Sequence, residues 1–333
     1  MLFDHHTIAV ERWPLRTPFR ISRSAKTEAV VVTITLEAGG VSGRGEGCPY
    51  ARYGDSPETA VADLKAAAAL VRDAAELPAA RDRLAGLLPP SSARNALDCA
   101  LWHLEARLTG TPVHDLAGLP PPTPLTTCFT LSLDTPEAMA AAAERHRDQP
   151  LLKLKLGDAA RDAARIAAVR TARPDARLVA DANEGWRFAD LPPLLAAAAS
   201  AGVELIEQPL PASDDYTLRE VTPAVPLCAD ESAAPGSDVT ALSDRYQAVN
   251  IKLDKTGGLT AALAAIASAR AAGCRIMVGS MVSTSLSMAP AALLGPLADW
   301  VDLDSPALLA RDRDDAMAIT GGILAPPPPG LWG

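Results

Sequence analysis

Apolar and polar residues alternate at the start of the chain, and the pattern then changes period. Residues 7–17 and 29–38 read as strands, the second carrying the β-branched run Ala29-Val30-Val31-Val32-Thr33-Ile34-Thr35-Leu36. Ala38-Gly39-Gly40 supplies a turn, and Gly43, Gly45 and Gly47 in a third strand predict a backbone bend. Between the first two strands, Thr17 to Lys26 is polar and holds Arg20, Arg23 and Lys26. It reads as a loop, either solvated or offering positive charge to an anionic substrate. From Ser56 the pattern is helical. Pro57 suits a first turn and Glu58 and Asp63 place acid early, which predicts a helix over 57–75. Ser91-Ser92 can cap another that runs to Leu108 before Gly110. Asn95, Asp98 and His103 fall on it and read as structural polar residues. Strands followed by helices make an α+β unit over residues 1–118, closed by Leu119-Pro120-Pro121-Pro122-Thr123-Pro124.

Beyond that segment, short apolar strands recur near 127–132, 151–156, 177–182, 203–207, 226–230, 248–253, 275–280 and 299–304, with Ala-rich helical stretches between most of them. Chemically distinctive residues end these strands. From Lys155 through Asp181, Glu207, Asp230, Lys252 and Gly279 to Asp302 the steps are 26, 26, 23, 22, 27 and 23 residues. That period is one strand, one helix and two loops, and eight such units predict a (β/α)8 barrel of the TIM type over 119–309. In such a barrel the chemistry sits at the C-terminal ends of the strands, where these residues fall. The tail holds Ala325-Pro326-Pro327-Pro328-Pro329-Gly330, which fits neither helix nor central strand. Residues 310–333 are expected to run back over the N-terminal unit.

Candidate chemistry begins at Leu151-Leu152-Lys153-Leu154-Lys155. Residues two apart on a strand share a face, so Lys153 and Lys155 project together. Mutual repulsion and partial burial predict lowered lysine pKa values, suited to a base near neutral pH. An edge strand decorated with lysines is the alternative. Asp181, Glu207 and Asp230 end three successive strands. Taken singly, each acid could cap the following helix. Together they would repel unless a cation sits between them, and three oxygen donors suit Mg2+ better than Zn2+. Lys252, in Asn250-Ile251-Lys252, ends the sixth strand, opposite the second in an eight-stranded barrel. Lys255 competes with it, but alternation and the loop position of Lys255 favour Lys252. Asp302-Leu303-Asp304 presents two carboxylates, which either face solvent or invite an ammonium, an arginine or a second metal.

A net charge of −9 argues against a general nucleic-acid or anionic-membrane surface. The N-terminus lacks the pattern of a signal peptide, and no stretch reads as membrane-spanning. Cys48, Cys99, Cys128, Cys228 and Cys274 are scattered without metal-type pairing, which fits buried thiols in a reducing cytoplasm.

The Lys-x-Lys strand, the Asp/Glu/Asp strand ends, Ile206-Glu207-Gln208-Pro209 and Asn250-Ile251-Lys252 together resemble the enolase superfamily, muconate-lactonizing subgroup. Asp302-Leu303-Asp304, with Ile276-Met277-Val278-Gly279-Ser280-Met281 before it, narrows the likeness to dipeptide epimerases acting on L-Ala-D-Glu and L-Ala-L-Glu. The resemblance implies an enolase-like capping domain on the barrel and a cytoplasmic isomerase of murein-peptide recycling, possible as a homo-oligomer. It implies Mg2+ on Asp181, Glu207 and Asp230, and Lys155 and Lys252 as acid/base pair with Lys153 in support. It further implies Asp302 and Asp304 on the dipeptide ammonium, Arg23 on the glutamate side chain and Thr130 lining the site. An o-succinylbenzoate synthase or N-acylamino acid racemase would use the same lysines and metal, but its substrate has no free ammonium. A catalytically silent barrel that binds metal and dipeptide is the remaining alternative.

Overall fold

The computed structural model describes residues 1–333 apart from Ser22 and Arg23, and of Ser24 the backbone alone. Strands His5–Ile21, Ser24–Ala38 and Val41–Gly47 form an antiparallel meander. Alternation puts Val32, Ile34 and Leu36 on one face of the middle strand. They are buried with Leu64, Leu84, Leu97, Leu101 and Leu104 of helices Pro57–Val71, Leu77–Leu87 and Ser92–Thr109. Two sequence expectations are corrected here. Residues 17–21 and 24–26 are strand rather than loop: Phe19 pairs with Lys26 and Arg20 with Ala25, so the two strands continue as a ribbon past a register shift between Pro14 and Phe19. Pro18 and the mostly polar composition of this stretch mask the short Phe19/Ile21 alternation in sequence. The helix expected over 57–75 ends at Val71, and a separate helix, Leu77–Leu87, follows with a proline in its first turn.

The three glycines of the third strand admit a helix rather than make a bend. A Cβ on Gly43 would lie 2.5 Å from the Ala100 carbonyl oxygen, on Gly45 1.9 Å from that of Ala96, and on Gly47 2.1 Å from that of Ser92. The strand period of two thus meets the helix period of about four, residue by residue, with helix backbone resting on strand backbone. That helix also joins the two parts of the chain. Asp98 accepts hydrogen bonds from the Thr260 N–H (3.0 Å) and hydroxyl (2.6 Å) at the start of helix Leu259–Ala271. Asn95 donates to Asp254 Oδ1 (2.8 Å), and the ring of Trp332 in the tail packs on His103. All three polar residues are structural, as the sequence suggests.

Eight parallel strands follow in chain order: Phe129–Leu131, Leu151–Lys155, Arg177–Asp181, Val203–Glu207, Leu227–Ala229, Ala248–Lys252, Arg275–Gly279 and Trp300–Asp302. The Cys128 N–H donates to the Val301 carbonyl (2.8 Å), drawing the eighth strand toward the first. Inside, Cys128, Leu151, Val179, Leu205, Cys228, Ala248, Met277 and Trp300, one residue from each strand or its lead-in, pack as an apolar plug. Two residues further along each strand the inward positions are Thr130, Lys153, Asp181, Glu207, Asp230, Asn250, Gly279 and Asp302. Lys155 and Lys252 lie two beyond Lys153 and Asn250. Strand periodicity alone therefore stacks a layer of polar and charged groups on the greasy plug. The five cysteines are free and buried, and no helix among the described residues is long and apolar enough to cross a membrane.

Candidate active site

The polar layer opens into a cleft of about 770 Å³. Lys153, Lys155, Asp230, Lys252, Asp302 and Asp304 line it from the barrel; Phe19, Ile21, Lys26, Tyr50 and Tyr53 line it from the N-terminal part.

Each lysine is held by strand-end carboxylates. Lys153, 1% exposed, places Nζ 2.5 Å from Glu207 Oε2, 2.7 Å from Asp302 Oδ2 and 3.4 Å from Asp181 Oδ2. Burial works against its charge, but Asp302, Glu207 and Asp181 outweigh burial and hold the ammonium well above the ordinary lysine range. The lowered pKa expected for this lysine is thus overturned. The repulsion by Lys155 is smaller than the attraction of acids from strands far away in sequence. Lys155 Nζ lies 2.6 Å from Asp181 Oδ2 and 5.8 Å from the centre of the Phe19 ring. Lys252 Nζ lies 2.7 Å from Asp230 Oδ2; burial opposes its charge, and Asp230 and Glu207 raise its pKa in spite of that.

The acids differ among themselves. Burial would raise the Asp181 carboxyl, yet Lys155 and Lys153 bring it down to about 2. Burial and the nearby Asp181 push Glu207 up to about 7. Asp181 and Glu207 are direct neighbours in strand register, and Asp230 follows the next strand. Three buried oxygen donors crowded enough to compromise the ionisation of one are a donor set for a small hard cation. Among the described residues they are not drawn around one point, since lysines interleave with them.

At the other wall, Asp304 Oδ2 accepts the Thr130 backbone N–H (2.7 Å), which fixes its orientation. Burial and Asp302 raise Asp304 to about 6. Asp302 Oδ2 accepts a hydrogen bond from Lys153, while its buried Oδ1 has no hydrogen-bond partner among the described residues. A buried carboxylate oxygen without a donor is costly and suits a ligand that brings one.

The structure places Thr130 along the cleft, and Lys252 rather than Lys255 faces it. Arg23 lies outside the described residues; from the same stretch Lys26 reaches the cleft, with Nζ 4.9 Å from the centre of the Tyr50 ring. Sequence reading assigned no part to Asn250, whose Nδ2 donates to Glu207 Oε1 (2.6 Å). Its place two residues before Lys252 was the available signal. Gly279 leaves it room, since a Cβ there would lie 2.6 Å from Asn250 Oδ1. Lys255 is also part of the site's frame: it lies 2.7 Å from Asp230 Oδ1.

Residues 5–118 match the mandelate racemase / muconate lactonizing enzyme N-terminal domain family, and residues 138–331 match the enolase C-terminal domain-like family. The chain is 44% identical over 316 residues to the L-Ala-D/L-Glu epimerase of Escherichia coli strain K12, an alignment spanning 94% of this chain and 97% of that one. It is 43% identical over 296 residues to the N-acetyl-D-glutamate racemase of a Pseudoalteromonas species, spanning 87% and 91% of the two chains. A crystal structure of an enolase family member from Agrobacterium tumefaciens, with homology to dipeptide epimerases and with bound sodium and L-Ala-L-Glu, is similar at a TM-score of 0.94. The sequences are 45% identical, with 98% of this chain and 99% of that one covered.

Proposed function

The chain belongs to the mandelate racemase / muconate lactonizing enzyme family of enolase-like proteins, and we propose that it is a dipeptide epimerase interconverting L-Ala-D-Glu and L-Ala-L-Glu. The observation that carries this reading is that Lys155 and Lys252, from the second and sixth of eight strands, line one cleft. Inversion at a carbon needs a proton taken from one face and another delivered to the opposite face. One lysine removes the α-proton of the C-terminal residue and the other, as its ammonium, returns a proton; the roles exchange for the other epimer.

A positioned base contributes roughly 10²–10⁴-fold, equivalent to about 3–5 kcal/mol. Enzymes typically supply ~8–23 kcal/mol, so fixed positive charge must do much of the remainder. Lys153, kept cationic by its three carboxylates, is one such charge. Asp181, Glu207 and Asp230 fit Mg2+ as ligands, by donor type and by crowding. When bound, the ion supplies Lewis-acid stabilisation of the negative charge that develops on the substrate carboxylate. Asp302 and Asp304 would receive the dipeptide ammonium, with Thr130 holding Asp304 in place. Lys26, and Arg23 of the same stretch, would meet the glutamate side chain. Residues 1–118 act in this reading as a capping domain over the barrel at 119–309, with 310–333 joining the cap; cleft-lining Phe19, Ile21, Lys26, Tyr50 and Tyr53 support that division.

A second reading, racemisation of an N-acylated glutamate, is favoured by the 43% identity to the N-acetyl-D-glutamate racemase. It leaves the Asp302–Asp304 pair without an ammonium. The deciding experiment incubates the purified protein and Mg2+ with L-Ala-L-Glu or N-acetyl-D-glutamate and follows the configuration of glutamate after hydrolysis. Both dipeptide epimers are expected, with loss of conversion on chelation. Turnover of the acetylated substrate alone would replace the first reading with the second.

A further inference from the structure

We propose that Gln208 and Lys255 are positioning residues that present Asp230 to a bound cation through a single oxygen, Oδ2. The inference rests on the reading of Asp230 as a cation ligand. Asp181 and Glu207 are held by the sheet itself, paired with one another across neighbouring strands. Asp230 is not: its strand ends at Ala229, and ladder pairing there stops with Cys228 and Ala229. Something other than the sheet must fix it.

Two side chains do so. The Asp230 N–H donates to Gln208 Oε1 (2.9 Å), which also accepts the Ser232 N–H (3.0 Å). Lys255 Nζ donates to the Asp230 carbonyl and to Oδ1, both at 2.7 Å. Amide hydrogen, carbonyl and one carboxylate oxygen are thereby committed, which leaves Oδ2 facing Lys252. Neither Gln208 nor Lys255 lines the cleft, so neither is placed to touch substrate.

Gln208 is itself firmly set. It is fully buried with φ of 36°, in the left-handed region that residues other than glycine seldom occupy. Its Nε2 lies 2.9 Å from the Leu210 carbonyl, 2.7 Å from Ser232 Oγ and 2.9 Å from Tyr246 Oη. The Ser232 and Tyr246 hydroxyls in turn both donate to Asp215 Oδ2. This buried polar frame begins at the glutamine after Glu207 and ends on the backbone of the next acid. Unusual backbone geometry maintained by a surrounding network is characteristic of sites where position matters.

The test is Mg2+ titration by calorimetry of the full-length protein without substrate, on wild type, Lys255→Met and Gln208→Leu. Thermal melts and circular dichroism confirm that each variant is folded. The dissociation constant is expected to rise roughly 10–100-fold in each variant, the usual effect of losing a group that orients a ligand. At saturating Mg2+ the dipeptide KM is expected to stay near wild type. Affinities within about twofold of wild type would overturn the proposal. Asp230→Asn, measured alongside, separates the two layers: if it too leaves Mg2+ binding unchanged, the cation reading of Asp230 fails instead. Should Lys255→Met not fold, Gln208→Leu decides, and Lys255→Arg, which keeps its donors, is expected to retain affinity within about threefold.

Discussion

Lys155 and Lys252 reach one cleft from the second and sixth of eight strands, and each holds a different acid. Lys155 lies 2.6 Å from Asp181, and Lys252 lies 2.7 Å from Asp230. The proposed proton carriers and the candidate cation ligands are therefore one interlocked set of charges. Lys155→Ala and Lys252→Ala are each expected to lower epimerisation at least ~10²-fold, the lower bound for a positioned acid or base. Initial rates from both epimers, measured at saturating Mg2+, check this. Near wild-type turnover in either variant would remove that lysine from the mechanism.

Asp302 keeps one buried oxygen without a hydrogen-bond partner among the described residues, beside Asp304. Asp302→Asn is expected to lower kcat/KM for L-Ala-L-Glu by roughly 10–100-fold, matching the ~1.5–3 kcal/mol of a hydrogen bond to a charged group. Turnover of N-acetylglutamate, where measurable, should change far less. Equal losses on both substrates would count against ammonium recognition.

His103 gives the fold a pH dependence of its own. Burial and the adjacent Arg44 lower it from 6.5 to about 4, and its Nδ1 accepts the Arg44 N–H at 3.1 Å. The folded state thus favours neutral imidazole. Its contribution is fully present above pH 6.5 and is lost as pH falls toward 4, where the unfolded chain binds a proton that the folded chain resists. The loss amounts to roughly 3 kcal/mol. Urea unfolding of wild type and His103→Gln between those limits should show a shallower acid decline in the variant. Parallel curves would refute the assignment.

The strand glycines separate contact from conformation. Gly45→Ala would drive a methyl to 1.9 Å from the Ala96 carbonyl oxygen, and a loss of about 3 kcal/mol or more is expected. Gly86→Ala, in helix Leu77–Leu87 with open space around it, should instead stabilise by up to ~1 kcal/mol. Thermal unfolding of the pair reads both signs at once.

How much of this was legible depends on how far each cause lies along the chain. The barrel was, because a strand–helix unit repeats and puts Asp181, Glu207, Asp230, Lys252 and Asp302 at matching phases. That Lys153 and Lys155 share a face also followed from alternation, which by itself left open an edge strand decorated with lysines. The charge state of Lys153 did not, since Glu207 and Asp302, which hold it, come from strands four and eight. Nor did the glycine-lined helix seat: Gly43, Gly45 and Gly47 read locally as a bend until the helix at Ser92–Thr109 is laid against them. The ribbon at Phe19 and Arg20 was hidden by its polar composition, and Gln208 by a left-handed backbone that its side chain does not announce.

The central claim is that two lysines work on opposite faces of one carbon. Its most direct test is epimerisation of L-Ala-L-Glu in D2O, with substrate and product separated and weighed by mass spectrometry after a few turnovers. The account predicts deuterium at the glutamate α-carbon of newly formed L-Ala-D-Glu and protium in the L-Ala-L-Glu that remains. Product that keeps its original α-proton, or the absence of any deuterated product, would contradict it.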